Sequence, residues 1–489
     1  MTLSAVAGVA AYCVGFIVLF QLTGVLRSAA NVMGSVRSVL ATLGDPGNDE
    51  LSTERAMQRA AGSLFWSFLK IVLGGAAAFL LPAAFIYGAD QLGLLSFDTV
   101  LAGLSDWRFL VGATVVALAV WQALRLRRKP EAEPVGDYSP SDQLLHEIAF
   151  ATRPVQRALG GLEDKSFEKR GRAPSAAPVF IAGLPRAGTT VLLETLEATG
   201  RFASHTYRNM PFVLTPLSWN GFARRFGKEG EARERAHGDG MMVDFDSPEA
   251  FEEVLWMTFW PQRYQGETLP VWKGAQAPKF ERFFRLHREK LVFLREQKTG
   301  ETGLRYASKN NLNICRIDFL RDRIDDAVVI VPFREPVQHA ASLLNQHKNF
   351  LKQHQDDAFG RLYMAAIGHF DFGANLKPVN FGGWATKTRD LDPTTLEYWL
   401  AYWRAAYGFL RTRAGDRVHL LDYDALCADP QAVLQKLADA VAIDDPQALL
   451  QAAPRFRPAP SRKPDLAAVD PDLMRSVYAV YDDIQRAAL

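Results

Sequence analysis

Cysteine is scarce in this chain of 489 residues, and Cys13, Cys315 and Cys427 lie far apart with no CxxC pair. Their odd number and their spacing exclude a disulfide scaffold and a cysteine-based zinc site, and they favour a reducing compartment. An excess of one charge is also missing, since 56 Lys and Arg face 54 Asp and Glu, a formal net charge of +2. A dedicated nucleic-acid binder carries a strong basic field, so we expect no nucleic-acid partner and only local anion sites.

The HExxH and GxSxG motifs, the Cys/His spacings of zinc sites, internal repeats and low-complexity tracts are all absent. Charged residues make up 22% of the chain and apolar residues 48%, close to the usual values for folded proteins. The length corresponds to about three domains of ~150 residues. The chain is therefore long and apolar enough to build a sizeable core.

The apolar residues are concentrated near the N-terminus, where residues 1–26 and 71–89 carry no charge. At a rise of 1.5 Å per residue, each run can cross a hydrocarbon core of ~30 Å. A shorter apolar run, 109–124, has tryptophans near its ends and basic residues on both sides, as interfacial anchoring requires. The sequence therefore predicts a membrane anchor over residues 1–129, with transmembrane helices at about 3–26, 64–89 and 108–125.

A secretory signal peptide is the alternative interpretation of the first run. It would need positive charge before its apolar region, whereas the first basic residue is Arg27. The loop after the first run contains four arginines, while the loop after the second contains three aspartates and no Lys or Arg. Because positive loops stay in the cytoplasm, we predict a multi-pass protein of the cell (inner) membrane, with the lipid bilayer as a partner and a cytoplasmic C-terminal part.

The remainder of the chain reads as a linker followed by a soluble domain. Residues 130–177 are rich in proline and mixed charge around one amphipathic helix near 142–159. From residue 178 onward, short β-branched runs alternate with longer helical patterns, which is typical of parallel strands joined by helices. The clearest strands are at 178–182, 327–333 and 417–421. The sequence predicts an α/β domain over residues 178–489.

A glycine-rich turn, GLPRAGTT at residues 183–190, lies between the first of these strands and a helical pattern. Glycines permit tight backbone angles, and the amides that open the helix carry a partial positive charge, so the turn can hold a phosphate. Compared with the nucleotide loop GxxxxGK[ST], Thr189 replaces the lysine, and the cation lies within the turn as Arg186. That departure weakens an NTP-hydrolase or kinase interpretation. An ordinary turn capped by threonine is the alternative.

A second candidate anion site follows the strand at 327–333. Arg334 ends that strand, and Pro336 suits the first turn of a helix that carries Ser342. Two helical turns return the serine hydroxyl toward the end of the strand, where Arg334 and Ser342 can clamp one phosphate. The alternative is a surface arginine paired with Glu335 or Asp318, beside a solvated serine.

Together these segments resemble the sulfotransferase family that uses 3′-phosphoadenosine 5′-phosphosulfate (PAPS). LPRAGTT resembles the family's 5′-phosphosulfate loop, with Arg186 where the family has Lys or Arg. VVIVPFREPVQHAAS, at 328–342, is similar to its 3′-phosphate motif, with Arg334 and Ser342 at the family's spacing. Weaker likenesses are SKN at 308–310 and LLDYDALCADP at 420–430. The resemblance implies a three-layer, P-loop-like sulfotransferase domain with a parallel sheet at 178–489, preceded by transmembrane helices as an added anchor.

The resemblance also implies transfer of a sulfuryl group from PAPS, as co-substrate and without an essential metal, to an acceptor hydroxyl. The cofactor-binding residues would be Arg186, Ala187, Gly188, Thr189, Thr190, Arg334 and Ser342. Arg186 would also be catalytic, by neutralising charge on the leaving phosphate. A membrane anchor suggests a membrane-associated acceptor such as a glycan, a glycolipid or a lipid-linked sugar. The alternatives are a P-loop kinase-like phosphotransferase, and a non-catalytic membrane receptor or scaffold that binds an adenine nucleotide.

Sulfuryl transfer also needs a base, because the acceptor hydroxyl must lose its proton. Some relatives carry a glutamate where this chain has Thr206 and Tyr207, so His205 is the nearest substitute. His237, in a glycine-containing segment with Asp239 to orient it, is the second catalytic candidate. A structural role is the alternative for each histidine.

A basic segment near the C-terminus has two interpretations. It can close over the cofactor, or it can be a solvated loop. Its basic residues are Arg455, Arg457, Arg462 and Lys463.

Overall fold

The computed structural model describes residues 3–24, 28, 50–105, 140–226, 233–234, 242–243, 247–457 and 463–489. The chain divides into two compact units, residues 1–133 and 134–489. The described helices of the first unit are α1 (Leu3–Leu22), α2 (Glu50–Gln91) and α3 (Phe97–Ser105).

Within the first unit, α1 packs against α2, and the Tyr12 hydroxyl donates to the Phe79 carbonyl at 3.2 Å. Among the described residues, one helical segment, Phe65–Gln91 in α2, is long and apolar enough to cross a membrane. It coincides with the predicted second span. The predicted first span is helical as far as Leu22, and the predicted third span, at 108–125, lies outside the described residues.

The second unit alternates helices and strands. Its helices are α4 (Pro140–Ala151), α5 (Arg153–Glu168), α6 (Thr189–Ala198), α7 (Pro216–Phe226), α8 (Glu253–Phe259), α9 (Pro278–Thr299), α10 (Ile317–Arg323), α11 (Pro336–Asp356), α12 (Ala358–Ala366), α13 (Trp384–Lys387), α14 (Leu396–Leu410), α15 (Tyr423–Ala428), α16 (Pro430–Val441), α17 (Gln447–Leu450) and α18 (Pro471–Arg486). Its strands are β1 (Val179–Ile181), β2 (Phe202–Ala203), β3 (Arg233–Glu234), β4 (Met242–Val243), β5 (Arg305–Lys309), β6 (Val328–Phe333) and β7 (Val418–Asp422). Short 3-10 turns lie at Tyr207–Asn209, Pro261–Tyr264, Asn311–Arg316, Gly373–Asn375, Phe381–Gly383, Arg411–Arg413 and Ala453–Arg455.

A parallel five-stranded sheet with the order β2-β5-β1-β6-β7 forms the centre of this unit. In β1, Phe180 packs into the apolar cluster on one face, while Val179 and Ile181 pack into the cluster on the other. A strand that is buried on both faces is apolar at successive positions, which explains its uninterrupted apolar sequence. Helices cover both faces, so the unit has three layers, and the predicted α/β class is confirmed.

The strand order creates a switch point between β1 and β6, which pair at Phe180 and Val329. The chain leaves β1 through α6 toward β2 on one side of the sheet, and it leaves β6 through α11 toward β7 on the other. Oppositely directed connections open a crevice at the carboxyl ends of the two strands. Both predicted phosphate motifs start at this crevice, because one follows β1 and the other follows β6.

The predicted linker contains two helices, α4 and α5, where the sequence predicted one. The break falls at Arg153 and Pro154, because proline suits the first turn of a new helix and not the interior of an existing one. From α9, the fully buried Lys290 Nζ reaches Asp164 at 2.9 Å and Glu163 at 3.2 Å. A buried ammonium with two carboxylate partners thus ties α5 to α9.

Candidate functional site

The glycine-rich loop has a backbone that only particular residues tolerate. Gly188 has a φ of 90°, and a Cβ there would lie 2.3 Å from Cε2 of Tyr423. Both its backbone conformation and this close approach therefore require glycine at position 188. Arg186 also lies in the left-handed region, with a φ of 68°, which is uncommon for a residue with a side chain. Such backbone strain is concentrated at functional sites.

Two residues that follow β6 hold this loop in place. His339 Nε2 lies 2.8 Å from the Pro185 carbonyl, and because a carbonyl only accepts, Nε2 carries the proton. Burial lowers the pKa of His339 to about 3, so the ring is a neutral donor at physiological pH. The Arg334 guanidinium donates from Nη1 to the Arg186 carbonyl at 3.3 Å. The second motif therefore supports the backbone of the first.

The two predicted anion motifs meet directly. Arg186 Nε donates to the Ser342 hydroxyl at 3.4 Å. Arg334 is largely buried, and its Nε lies 3.7 Å from the Asp424 carboxylate. The alternative pairing is not seen, since Asp318 pairs with Arg413, and Glu335 accepts from the amide that it caps at the start of α11.

Most of the predicted site residues line one cavity of about 260 Å³. Those on its wall are Arg186, Gly188, Thr189, Thr190 and Arg334. Ala187 is fully buried, and Ser342 joins the group through its hydrogen bond to Arg186. The predicted cofactor residues are thus close together at the switch point.

Two further residues line the cavity together with Arg334. Tyr423, from the late segment of weak likeness, supplies an aromatic ring. Arg457 comes from the basic tail, for which the sequence left two interpretations open, and it faces the cavity. Arg462 of the same tail lies outside the described residues. These positions add a third arginine to the residues that line the cavity.

The cavity also contains polar groups that no sequence motif marks. Thr189 Oγ1 donates to Asn311 Oδ1 at 3.4 Å, and Asn311 Nδ2 donates to Asp371 Oδ2 at 3.0 Å. Burial raises the pKa of the Asp371 carboxyl, opposed by the bond from Asn311 and by the charge of Lys309. Asp371 and His369 follow α12 and also line the cavity. No motif contains them, and the only signal in the sequence is that they alternate with phenylalanines.

The predicted base His205 lies elsewhere, in a group that we call the sealed cluster. Its Nε2 is 2.9 Å from His287 Nε2, and its Nδ1 is 3.3 Å from the Tyr306 hydroxyl. Burial lowers the pKa of His205 to about 3 and that of His287 well below its usual range, so both rings are neutral. The sealed cluster consists of His205, Glu252, His287, Tyr306 and Ser308.

His205 is 1% exposed and is not among the described residues that line the cavity. The structure therefore does not bring it to the two anion motifs. His237 and Asp239, the second candidate base and its orienting partner, lie outside the described residues.

The chemistry of the cavity suits an elongated anion. Arg186, Arg334, Arg457 and Lys309 supply positive charge, and the amides that open α6 add the partial charge of a helix N-terminus. A small organic molecule with two separated phosphate-type groups can pair with these donors. Among the residues that the structure describes, no group of three or more His, Cys, Asp or Glu is placed to hold a metal ion.

Comparison with solved structures finds bacterial sulfotransferases at low similarity. Sulfotransferase STF9 from Mycobacterium avium is 17% identical, with a TM-score of 0.40 over 72% of this chain and 87% of that chain. Sulfotransferase STF1 from Mycobacterium tuberculosis H37Rv is 15% identical, with a TM-score of 0.35 over 70% of this chain and 82% of that one. These TM-scores are too low to support an argument. No curated protein matches the chain.

The family assignment comes from the sequence itself. A family model described as the sulfotransferase family matches residues 178–447, more than half of the chain. The match begins at the residue before β1 and includes the glycine-rich loop, Arg334 and Ser342. The family model therefore identifies the chain as a member of the sulfotransferase family.

Proposed function

We propose that this chain transfers a sulfuryl group from PAPS to a hydroxyl of a membrane-associated acceptor. The observation that carries the proposal is the meeting of Arg186 and Arg334 on one cavity at the switch point between β1 and β6. The loop amides and Arg186 would bind the 5′-phosphosulfate. Arg334 and Ser342 would bind the 3′-phosphate, and Arg457 lines the same cavity.

The residues of the cavity match the charges of this substrate. PAPS carries anionic groups at both ends of its adenosine, and the cavity carries arginines from two separate motifs. Gly188 keeps the loop open next to Tyr423, where any Cβ would collide with the ring. As the sulfuryl group departs, negative charge grows on the 5′-phosphate, and Arg186 and the amides that open α6 stabilise it.

The same proposal places the N-terminal helices in the cell (inner) membrane as a multi-pass anchor, with the catalytic unit in the cytoplasm. Phe65–Gln91 is long enough to span the hydrocarbon core. Its large apolar side chains are unusually exposed, with Phe68 at 63%, Leu73 at 60% and Phe85 at 71%. An apolar surface of this kind is stable in lipid and costly in water. Anchoring in the membrane suggests a glycan or a lipid-linked sugar held there as the acceptor.

Calorimetry on the full-length protein in detergent tests the cofactor assignment. We expect binding of 3′-phosphoadenosine 5′-phosphate (PAP), and much weaker binding of ATP, because ATP lacks the 3′-phosphate that Arg334 would pair with. Tight binding of ATP with indifference to the 3′-phosphate would contradict the proposal and favour the kinase-like alternative.

Two arginine variants separate binding from turnover. Arg334→Ala should weaken PAP binding by about 10- to 100-fold, since a charge-assisted bond to phosphate is worth roughly 1.5–3 kcal/mol. Arg186→Ala should slow transfer of labelled sulfate from PAPS to membrane extracts by about 10²-fold, as the loss of one positioned transition-state donor does.

Arg475→Ala is the matched control, because that side chain is 75% exposed on α18. It should leave both the PAP affinity and the transfer rate unchanged. A wild-type protein that binds PAP but transfers no sulfate would support the receptor alternative instead. Wild-type kinetics in both cavity variants would refute the roles of Arg186 and Arg334.

A further inference from the structure

The cavity that contains Arg334 also contains a carboxylate. Asp371 lines it together with Arg186 and Thr189. Asn311 connects it to the loop, since it receives a hydrogen bond from Thr189 at 3.4 Å and donates to Asp371 Oδ2 at 3.0 Å. A group bound at Thr189 and a group bound at Asp371 would therefore lie close together, because a single side chain, that of Asn311, connects the two residues.

The neighbouring carboxylate Glu253 is already committed to structure. It pairs with the fully buried Arg316 at 2.5 Å and accepts from Asn310 Nδ2 at 2.6 Å. The Tyr264 hydroxyl donates to it as well. Asp371 has no arginine partner among the described ion pairs, and its bond to Asn311 leaves lone pairs for a substrate proton.

Resting on the proposed sulfuryl transfer, we propose that Asp371 is the general base, and that the acceptor is an aliphatic hydroxyl on a body with an apolar face. The apolar face would lie against Phe350 and Phe372, which line the same cavity. An aliphatic hydroxyl is too weak an acid to attack without a base, whereas a phenol with a low pKa needs little help.

In the reaction, the acceptor oxygen bonds to sulfur while the bond between sulfur and the 5′-phosphate oxygen breaks. The bonding electron pair leaves with that phosphate oxygen, which Arg186 neutralises. The hydroxyl proton passes to a carboxylate oxygen of Asp371 and then to solvent. The products are a sulfate ester and PAP, so atoms and charge balance with no further reactant.

The charged and titratable groups that face Asp371 are Lys309 at the end of β5, Glu253 on α8, Tyr402 on α14 and the adjacent His369. Burial dominates over the charge of Lys309 and holds the pKa of Asp371 above its ordinary value. A base must be deprotonated, so the transfer rate should fall as the pH drops through this raised pKa. The acid limb of the rate profile should therefore lie above pH 3.8.

The test compares Asp371→Asn with the wild type as full-length protein in detergent. PAP affinity is measured by calorimetry, and labelled-sulfate transfer from PAPS is measured on a lipid extract of membranes from the source organism. The amide keeps an oxygen that can accept from Asn311, so PAP affinity should change by less than about twofold. The rate should fall by about 10²–10⁴-fold, the usual contribution of general-base catalysis, and the acid limb should disappear.

Asp356→Asn, at an exposed position at the end of α11, is the control and should behave as the wild type. An Asp371→Asn protein that keeps the wild-type rate and the acid limb would overturn the assignment. So would a variant that loses PAP binding, since Asp371 would then belong to the cofactor site. A wild-type protein that binds PAP but transfers nothing would overturn the proposed function itself, and the base with it.

Discussion

Two groups of polar side chains lie near the carboxyl ends of neighbouring strands of one sheet, and they differ in their contact with solvent. Around the cavity, three contacts of Arg186 and Arg334 are long, at 3.3–3.7 Å. In the sealed cluster, Glu252 accepts from Ser308 at 2.6 Å, Tyr306 at 3.0 Å and Trp256 at 3.1 Å, and it is fully buried. Satisfied polar groups fix a core, whereas cations with loose contacts beside a cavity can bind a ligand.

The difference predicts which property each group controls. Substitutions in the sealed cluster should change the free energy of unfolding and leave PAP affinity intact. Substitutions on the cavity wall should change affinity or rate and leave stability nearly intact. If any of the following experiments gives the opposite result, the two groups do not control separate properties.

The largest effect is expected for Glu252→Leu. The change removes the acceptor of three strong hydrogen bonds and leaves buried donors without partners, at about 1–3 kcal/mol each. We expect a loss of about 3–5 kcal/mol in the free energy of unfolding, measured by urea titration of tryptophan fluorescence on the full chain in detergent. The exposed Glu301→Leu is the control and should change it by less than about 0.5 kcal/mol. A Glu252→Leu protein of wild-type stability that no longer binds PAP would reverse the comparison.

A pair of glycine variants gives the next largest effect. Gly188 and Gly200 flank α6, and both have a positive φ, 90° and 72°. A Cβ at Gly188 would strike the Tyr423 ring, whereas nothing lies within 4 Å of one at Gly200. Gly188→Ala should weaken PAP binding about 100-fold by displacing the loop, as measured by calorimetry.

Gly200→Ala should pay only the backbone strain, about 1 kcal/mol of stability, with PAP affinity unchanged. Combining Gly188→Ala with Tyr423→Ala would remove the collision, although it also removes a ring from the cavity wall. Equal effects of the two single variants on PAP binding would mean that backbone strain, and not the contact with Tyr423, makes glycine necessary.

The smallest effect at neutral pH is a change in how the free energy of unfolding depends on pH. Burial holds the pKa of His205 in the folded chain near 3, whereas its ordinary pKa, which applies in the unfolded chain, is 6.5. Between these two pH values, the unfolded chain binds a proton that the folded chain does not. Stability should therefore fall as the pH drops from about 6.5 toward 3. His205→Gln should remove about one proton from this dependence, ~1.4 kcal/mol per pH unit, in urea titrations at several pH values. An unchanged slope would show that His205 is not kept neutral by burial.

The sequence located the features of the site that are local along the chain. Arg334 directly follows β6, Gly188 directly precedes α6, and Arg186 lies in the turn between β1 and α6, so a strand-turn-helix pattern was enough to find them. The partnership of Gly188 with Tyr423 and that of Thr189 with Asn311 join distant segments, and no spacing encodes them. Asp371 was missed for the same reason.

The expectation for His205 shows what strand order contributes. His205 follows a strand, as Arg186 does, and the sequence alone does not separate the two situations. In the sheet, β2 lies at one edge, while β1 and β6 flank the switch point. The loop after β2 is therefore displaced by two strands from the crevice, and α9 closes over it through His287.

The contact between His339 and Pro185 fixes the glycine-rich loop to α11. The same helix carries Ser342, so one element positions both the glycine-rich loop and the serine that would bind the 3′-phosphate. A ligand whose two phosphates are spaced differently would contact only one of the two phosphate-binding groups. The protein would then select a nucleotide by the distance between its phosphates before it recognises the adenine ring.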